Sequence, residues 1–330
     1  MKTSESLIDV GAPDAGRSSP DGAEAARLLA RLRDPAPAAA ANREYVLRLS
    51  CRDSRGVVYA VSRALFEAGC NIVDAQQFGD VGSERVHGRF FMRVHVDAPA
   101  AVADATTLVR LLDGLRIAYG MDVEVHDAQW RPRVAILASR EGHCLNDLIF
   151  RQMSGQLPID IVAIVSNHAE LGALAARFAL PFHHLPMSDA DGGKPAQEAR
   201  IAALLERERV ELVVLARYMQ ILSPEMCALL HGRAINIHHS FLPSFKGAQP
   251  YYQAFDRGVK LIGATAHYVT TDLDEGPIIE QDVERVDHAA GPRELAAIGR
   301  DIESVVLARA VKWHCEHRVL MNGGKTVVFR

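Results

Sequence analysis

Beyond residue 133 the chain repeats one pattern: a short, β-rich apolar run, then a stretch of helical periodicity. The runs are VAILAS (134–139), IDIVAIVS (159–166), a short one at 181–185, ELVVLA (211–216) and AINIH (234–238). Between them, apolar residues recur at helical spacing over 145–153, 171–178, 197–207 and 224–230. Strands separated by helices return by crossover and not by hairpin, so they pair in parallel. The pattern therefore predicts an α/β chain with a Rossmann-like domain and a mostly parallel sheet over 128–330. In such a sheet, functional groups gather beyond the carboxyl ends of the strands.

Residues 43–127 read differently. YVLRLS (45–50) alternates like a strand; Val57, Val58, Val61, Leu65 and Ala68 follow at helical spacing and stop at Gly69. A strand over 71–78, a strictly alternating RFFMRVHV (89–96), a helix over 106–119 and MDVEVH (121–126) complete the order βαββαβ, a ferredoxin-like unit. A chain of 330 residues suits two such domains better than one core. Residues 1–42, rich in Ala, Gly, Pro, Ser and Asp and without aromatics, read as a flexible extension.

Charge and cysteine usage narrow the partners. The net charge is -4, with Lys and Arg mixed among acids and not striped, which argues against a nucleic-acid surface and favours a small-molecule partner. The five cysteines are odd in number and widely spaced, so no disulfide framework is expected and a reducing, cytoplasmic setting is. No apolar run approaches the ~20 residues that a membrane span needs.

The chemistry concentrates in two segments. INIHHSFLPSFKG (235–247) closes a predicted central strand with Asn236, His238 and His239. GATAHYVTTDLDEGPIIEQ (263–281) holds His267 in a strand and Asp272, Asp274 and Glu275 in the loop after it. An amide, an imidazole and a carboxylate suit addition to an acyl carbon: the amide donates to a developing oxyanion, the imidazole donates or moves a proton, the carboxylate orients the imidazole or a water. Ser240 lacks a G-x-S-x-G elbow, so direct attack by water or an amine is expected over a covalent intermediate. The adjacent pairs His183–His184 and His238–His239, and HCEH (314–317), are read as surface or structural groups and no metal is expected; HCEH is placed on the outside of a long helix over 292–320 that precedes a short tail, TVVFR.

Two resemblances rest on these residues. The loop CRDSRG, the helix it opens and AGCNIVDAQQF resemble an ACT domain, a small ligand-sensing module. That resemblance implies effector contacts at Asp53, Arg55, Gly56, Asn71 and Ile72, where the first loop meets a neighbouring copy's second strand, and so a homo-oligomer; methionine and glycine are the natural effectors of a one-carbon enzyme. NIHHSFLPSFKG followed by GATAHYVTTDLDEGPIIEQD resembles the formyltransferase family that uses formyltetrahydrofolate. It implies Asn236, His238 and Asp274 as the catalytic set, with His267, Met219, Gln220, Ile221 and Leu222 against the folate.

ASREGHCLNDL (138–148) stands where glycinamide ribonucleotide transformylases carry a glycine-rich phosphate cradle. Together with the front module and His239 in place of the usual proline, it makes the chain resemble the formyltetrahydrofolate deformylase family over residues 44–330. That resemblance implies hydrolysis of 10-formyltetrahydrofolate to formate and tetrahydrofolate in one-carbon and purine metabolism, with folate as substrate and no further cofactor. A formyltransferase to an amine acceptor and a folate- or amino-acid-sensing regulator without activity stand as alternatives. Loss of the formyl group only with amine would mark the first, tight folate binding without turnover the second.

Overall fold

A computed structural model describes residues 42–80, 88–102, 104–188, 190, 192–242 and 250–330. The extension expected over 1–42 lies, Asn42 apart, outside the described residues. Arg43–Arg330 form one compact unit.

The first half of that unit is the expected ferredoxin-like fold. Its elements are β1 (Arg43–Arg52), α1 (Val57–Glu67), β2 (Asn71–Asp80), β3 (Arg89–Ala98), α2 (Ala105–Leu111), α3 (Asp113–Tyr119) and β4 (Asp122–Asp127). The strands pair antiparallel in the order β2-β3-β1-β4. Alternation along β1 sends Tyr45, Leu47, Leu49 and Cys51 into a core with Val57, Val61 and Leu65 of α1 and with Leu108. The single helix expected over 106–119 is two, broken at the fully buried Leu112. Asp113 and Gly114, both weak helix formers, come directly after the break.

The second half carries β5 (Arg133–Ala138), α4 (His143–Met153), β6 (Asp160–Ser166), α5 (Gly172–Arg177), β7 (Phe182–His184), α6 (Gly193–Arg207), β8 (Leu212–Leu215), α7 (Pro224–Leu229) and β9 (Ala234–His238). Next in the chain are α8 (Pro250–Asp256), β10 (Leu261–Tyr268), β11 (Ile278–Arg285) and α9 (Pro292–Cys315). The seven strands lie in the order β11-β10-β9-β8-β5-β6-β7, parallel from β9 to β7, with β10 and β11 added antiparallel. One face buries Ile136, Leu148 and Val306; the other buries Leu137, Ile201 and Met226. Strand order reverses between β5 and β8, which opens a crevice at their carboxyl ends.

The C-terminal expectation needs correction. The helix stops at Cys315, not at 320, because His317 takes a left-handed conformation (φ 55°). The tail is a hairpin, β12 (Val319–Asn322) paired with β13 (Lys325–Val328) across a Gly323-Gly324 turn whose first glycine has φ 62°. Leu320 and Phe329 of this segment pack on Phe91 of β3, on the sheet face opposite the helices. HCEH therefore does not face solvent: Cys315 is buried, His314 bonds the Tyr268 hydroxyl through Nδ1 at 2.7 Å, and His317 stacks on His126 of β4 at 3.7 Å.

Candidate active site

The crevice is built from strand ends upward. Just past β5, Ser139 Oγ donates to Asn167 Oδ1 beyond β6 (2.7 Å) and accepts from Met219 N beyond β8 (3.0 Å). Four residues on, Ser223 caps α7 by accepting from Met226 N, while its own N–H donates to the buried Glu198 carboxylate at 2.8 Å. The segment from Met219 to Leu222 is thus pinned at both ends. All four of its side chains line a cavity of about 230 Å³, with Met219 and Ile221 left 57% and 62% exposed.

Opposite lies β9. Its alternation puts Ile235 and Ile237 in the core and turns Asn236 and His238 to the other face. Antiparallel register sets His267 of β10 directly across from Asn236, and Asn236 Nδ2 lies 3.2 Å from His267 Nε2. His267 Nδ1 is 2.9 Å from the Tyr268 carbonyl, so Nδ1 carries the hydrogen and Nε2 accepts from the amide. Thr265 Oγ1, across from His238, donates to the Ser240 carbonyl and accepts from Leu242 N and Gln281 Nε2, which holds the chain leaving β9.

Asp274 comes from the loop between β10 and β11, with its backbone left-handed (φ 58°). Its Oδ1 lies 3.2 Å from His238 Nδ1 and 3.7 Å from His267 Nε2. Burial alone would raise this carboxyl; the hydrogen bond from His238 and the nearness of His267 outweigh it and hold Asp274 well below the usual carboxylate range. The loop closes on the strand at Gly276, where a Cβ would sit 1.7 Å from the Tyr268 carbonyl oxygen and 3.1 Å from His267 Nδ1. With Nδ1 engaged, His238 keeps Nε2 buried in the cavity wall, without a partner among the described residues.

A second polar cluster, unread in the sequence, lies behind His238. Arg217, just past β8 with φ 64°, donates through Nη1 to His239 Nδ1 and sets Nε 3.4 Å from Glu303 Oε2. Glu303, on the buried stripe of α9 and 1% exposed, also bonds His143 Nε2 (2.7 Å) and accepts from Tyr251 Oη (2.6 Å). Burial would raise this carboxyl too, but His143, Arg217 and Tyr251 together lower it. Tyr251 reaches Glu303 because position 299 is glycine: a Cβ there would meet its hydroxyl at 2.0 Å. A glutamate four residues past Gly299, in register with Leu295 on an otherwise apolar stripe, was the available signal. His143, Cys144 and Glu303 bring ligand atoms within 4.8 Å of one another; His143 is bonded to Glu303, and burial pushes the Cys144 thiol up.

The residues of the catalytic and folate sets thus converge on one cavity: Asn236, His238, Asp274 and His267 with Met219, Gln220, Ile221 and Leu222. The effector set does not converge. Asp53, Arg55 and Gly56 come after β1 at one end of the first sheet, beyond the Arg52–Arg89 pair. Asn71 and Ile72 begin β2 at the other end, where Asp97 pairs with both Asn71 and Glu44. Eight residues of β1 separate the two ends, about 26 Å of strand.

A family profile described as Formyl transferase matches residues 132–311, and one described as ACT domain matches residues 45–110. The chain is 45% identical to a formyltetrahydrofolate deformylase of Corynebacterium sp. (strain P-1) over 286 residues, 87% of this chain and 98% of that protein. The solved formyltetrahydrofolate deformylase of Burkholderia mallei is 50% identical with a TM-score of 0.80, covering 87% of this chain and all of its own. More distant is a glycinamide ribonucleotide transformylase of Symbiobacterium toebii, 29% identical with a TM-score of 0.58, which covers 61% of this chain and 95% of its own.

Proposed function

The chain belongs to the formyltetrahydrofolate deformylase family, and from that membership we propose that it is a hydrolase converting 10-formyltetrahydrofolate and water to tetrahydrofolate and formate. The observation that carries the reading is the meeting of His238 and Asp274 at 3.2 Å, beside Asn236, in the wall of an apolar-rimmed cavity. In this reading the pterin lies against the segment from Met219 to Leu222, and the formyl group faces β9. Asp274, held ionised, orients the water and accepts its proton as the new C–O bond forms. One N–H of Asn236 serves His267; the other, with the Nε2–H of a His238 imidazolium whose Nδ1–H is donated to Asp274, holds the oxyanion. The C–N10 bond then breaks as N10 takes the proton held by Asp274, and the other proton of the water is lost as formic acid ionises to formate. The chemistry calls on these side chains and the folate, and no further cofactor is assigned.

Residues 43–127 form the regulatory unit in this reading and 128–330 the catalytic one. Because the effector residues lie at opposite ends of one sheet, a second copy is needed to bring Asn71 and Ile72 to Asp53, Arg55 and Gly56; we propose a homo-oligomer responsive to methionine or glycine. Val73 and Phe78 on the edge strand β2, 55% and 45% exposed, and Ile117, 86% exposed, provide apolar area for such contact. All five cysteines are free and buried, which fits a reducing cytoplasm, and no described helix is long and apolar enough to cross a membrane.

Formate release from purified protein given 10-formyltetrahydrofolate, with and without glycinamide ribonucleotide, tests the assignment. Equimolar formate and tetrahydrofolate without amine are expected. Release only with amine would make it a transferase, and tight binding without turnover a sensor.

A further inference from the structure

His239 has no part in the mechanism above, yet it is 9% exposed and lines the same cavity as His238. Its ring stacks on that of His238, with centroids 4.9 Å apart and planes inclined by 21°. Arg217 donates to Nδ1, and a guanidinium has only hydrogens to offer, so Nδ1 is bare and the ring hydrogen sits on Nε2. Burial, with Arg217 and His238 beside it, lowers its pKa to about 4, which keeps this ring neutral and in one tautomer. Arg217 in turn leans on Glu303, which His143 and Tyr251 hold from two further elements. Arg217, Glu303, His143 and Tyr251 thereby fix one N–H, and among the described residues that N–H has no protein partner.

A buried donor left unmatched costs about 1–3 kcal/mol, so a site that keeps one has an acceptor to receive it. The oxyanion already has Asn236 and His238. The nucleophile does not have a donor: Asp274 accepts from it, and a water, unlike an amine carried on a larger acceptor, has no other groups by which to be held and needs two to four polar partners.

We infer that His239 is a further catalytic residue, which holds the attacking water by donating from Nε2 to its oxygen while Asp274 accepts its proton. Arg217 and Glu303 are positioning residues that set the tautomer and angle of this ring. His239 transfers no proton: the water oxygen bonds the formyl carbon, its proton goes to Asp274, and as the C–N10 bond breaks that proton passes from Asp274 to N10.

The inference rests on the hydrolase reading, and wild-type enzyme separates the two: without formate from wild type, both fall. With wild type active, His239→Met keeps bulk and removes the donor. Its kcat is expected to drop about 10²-fold with KM, and the Kd for tetrahydrofolate by calorimetry, within threefold of wild type. His239→Gln, whose amide reaches the Nε2 position, should recover at least tenfold of the loss, and His239→Asn, which reaches only Nδ1, should not. Hydroxylamine needs no such hook, so formohydroxamate formation should fall less than threefold in His239→Met. Hydrolysis within threefold of wild type in His239→Met would overturn the inference. So would equal losses of hydrolysis and hydroxylaminolysis, which would place His239 on the formyl oxygen or in the packing.

Discussion

The cavity at the strand ends and the effector positions of the first sheet were both read from short motifs, but one is assembled within a single chain and the other is not. Asn236, His238 and His267 come from the adjacent strands β9 and β10 and Asp274 from the loop after β10, so register and one short loop bring them together. Asp53 and Asn71 stand at opposite ends of one four-stranded sheet. Asn236 and His267 face each other across one antiparallel pair, whereas Asp53 follows the carboxyl end of β1 and Asn71 opens β2, which runs in the same direction after a helical crossover, so those two lie at opposite ends of the sheet. The first arrangement suits chemistry that every chain performs alone. The second suits a response that depends on a neighbour.

If the comparison is right, damage to the two regions should differ in kind. Asp274→Asn should lower kcat by about 10³-fold or more in a formate assay, since it removes the proton acceptor and the partner of His238 together. Asn236→Ala should lower it by about 10²- to 10³-fold as one oxyanion donor is lost; turnover near wild type would remove Asn236 from the site.

Gly276→Ala puts a methyl into the Tyr268 carbonyl and should destabilise the fold by about 1–3 kcal/mol in a denaturant titration, with activity falling as the Asp274 loop shifts.

A pH series probes both regions at once. Burial lowers the pKa of His239 at the site and of His314 beside β10 to about 4. Between pH 6.5 and 4 the unfolded chain binds protons that the folded chain refuses, so stability should fall as pH falls, by on the order of 1–2 kcal/mol per histidine at pH 5. His239→Gln should flatten its share of that slope, read as the shift of the urea midpoint with pH.

The smallest basal effect belongs to the effector positions. Asp53→Ala and Asn71→Ala should leave turnover without effector within twofold and abolish any response to methionine or glycine. A tenfold basal loss would mean that these residues act on the catalytic half within one chain.

Much of this was legible because the periods were strong. Alternation in RFFMRVHV and the strand–helix repeat after 133 gave both sheets, and the resemblance located Asn236, His238 and Asp274. The end of α9 was misplaced because Trp313 to His317 continues the helical pattern, while the left-handed turn at His317 shows only in the backbone. The Gly-Gly pair that turns the terminal hairpin was visible but lay in a stretch too short to read as two strands. Arg217, His143, Tyr251 and Glu303 escaped because each looks ordinary alone. Their elements are remote in sequence and meet only in the fold.

By itself the sequence determined the α/β class, the order of elements and the residue types presented at the strand ends, since each arises from periodicity within a few residues. Tertiary structure decided which nitrogens carry hydrogen, which carboxylate stays ionised and which positions share a cavity. Those depend on partners and burial supplied by distant segments, and a local pattern carries no record of them.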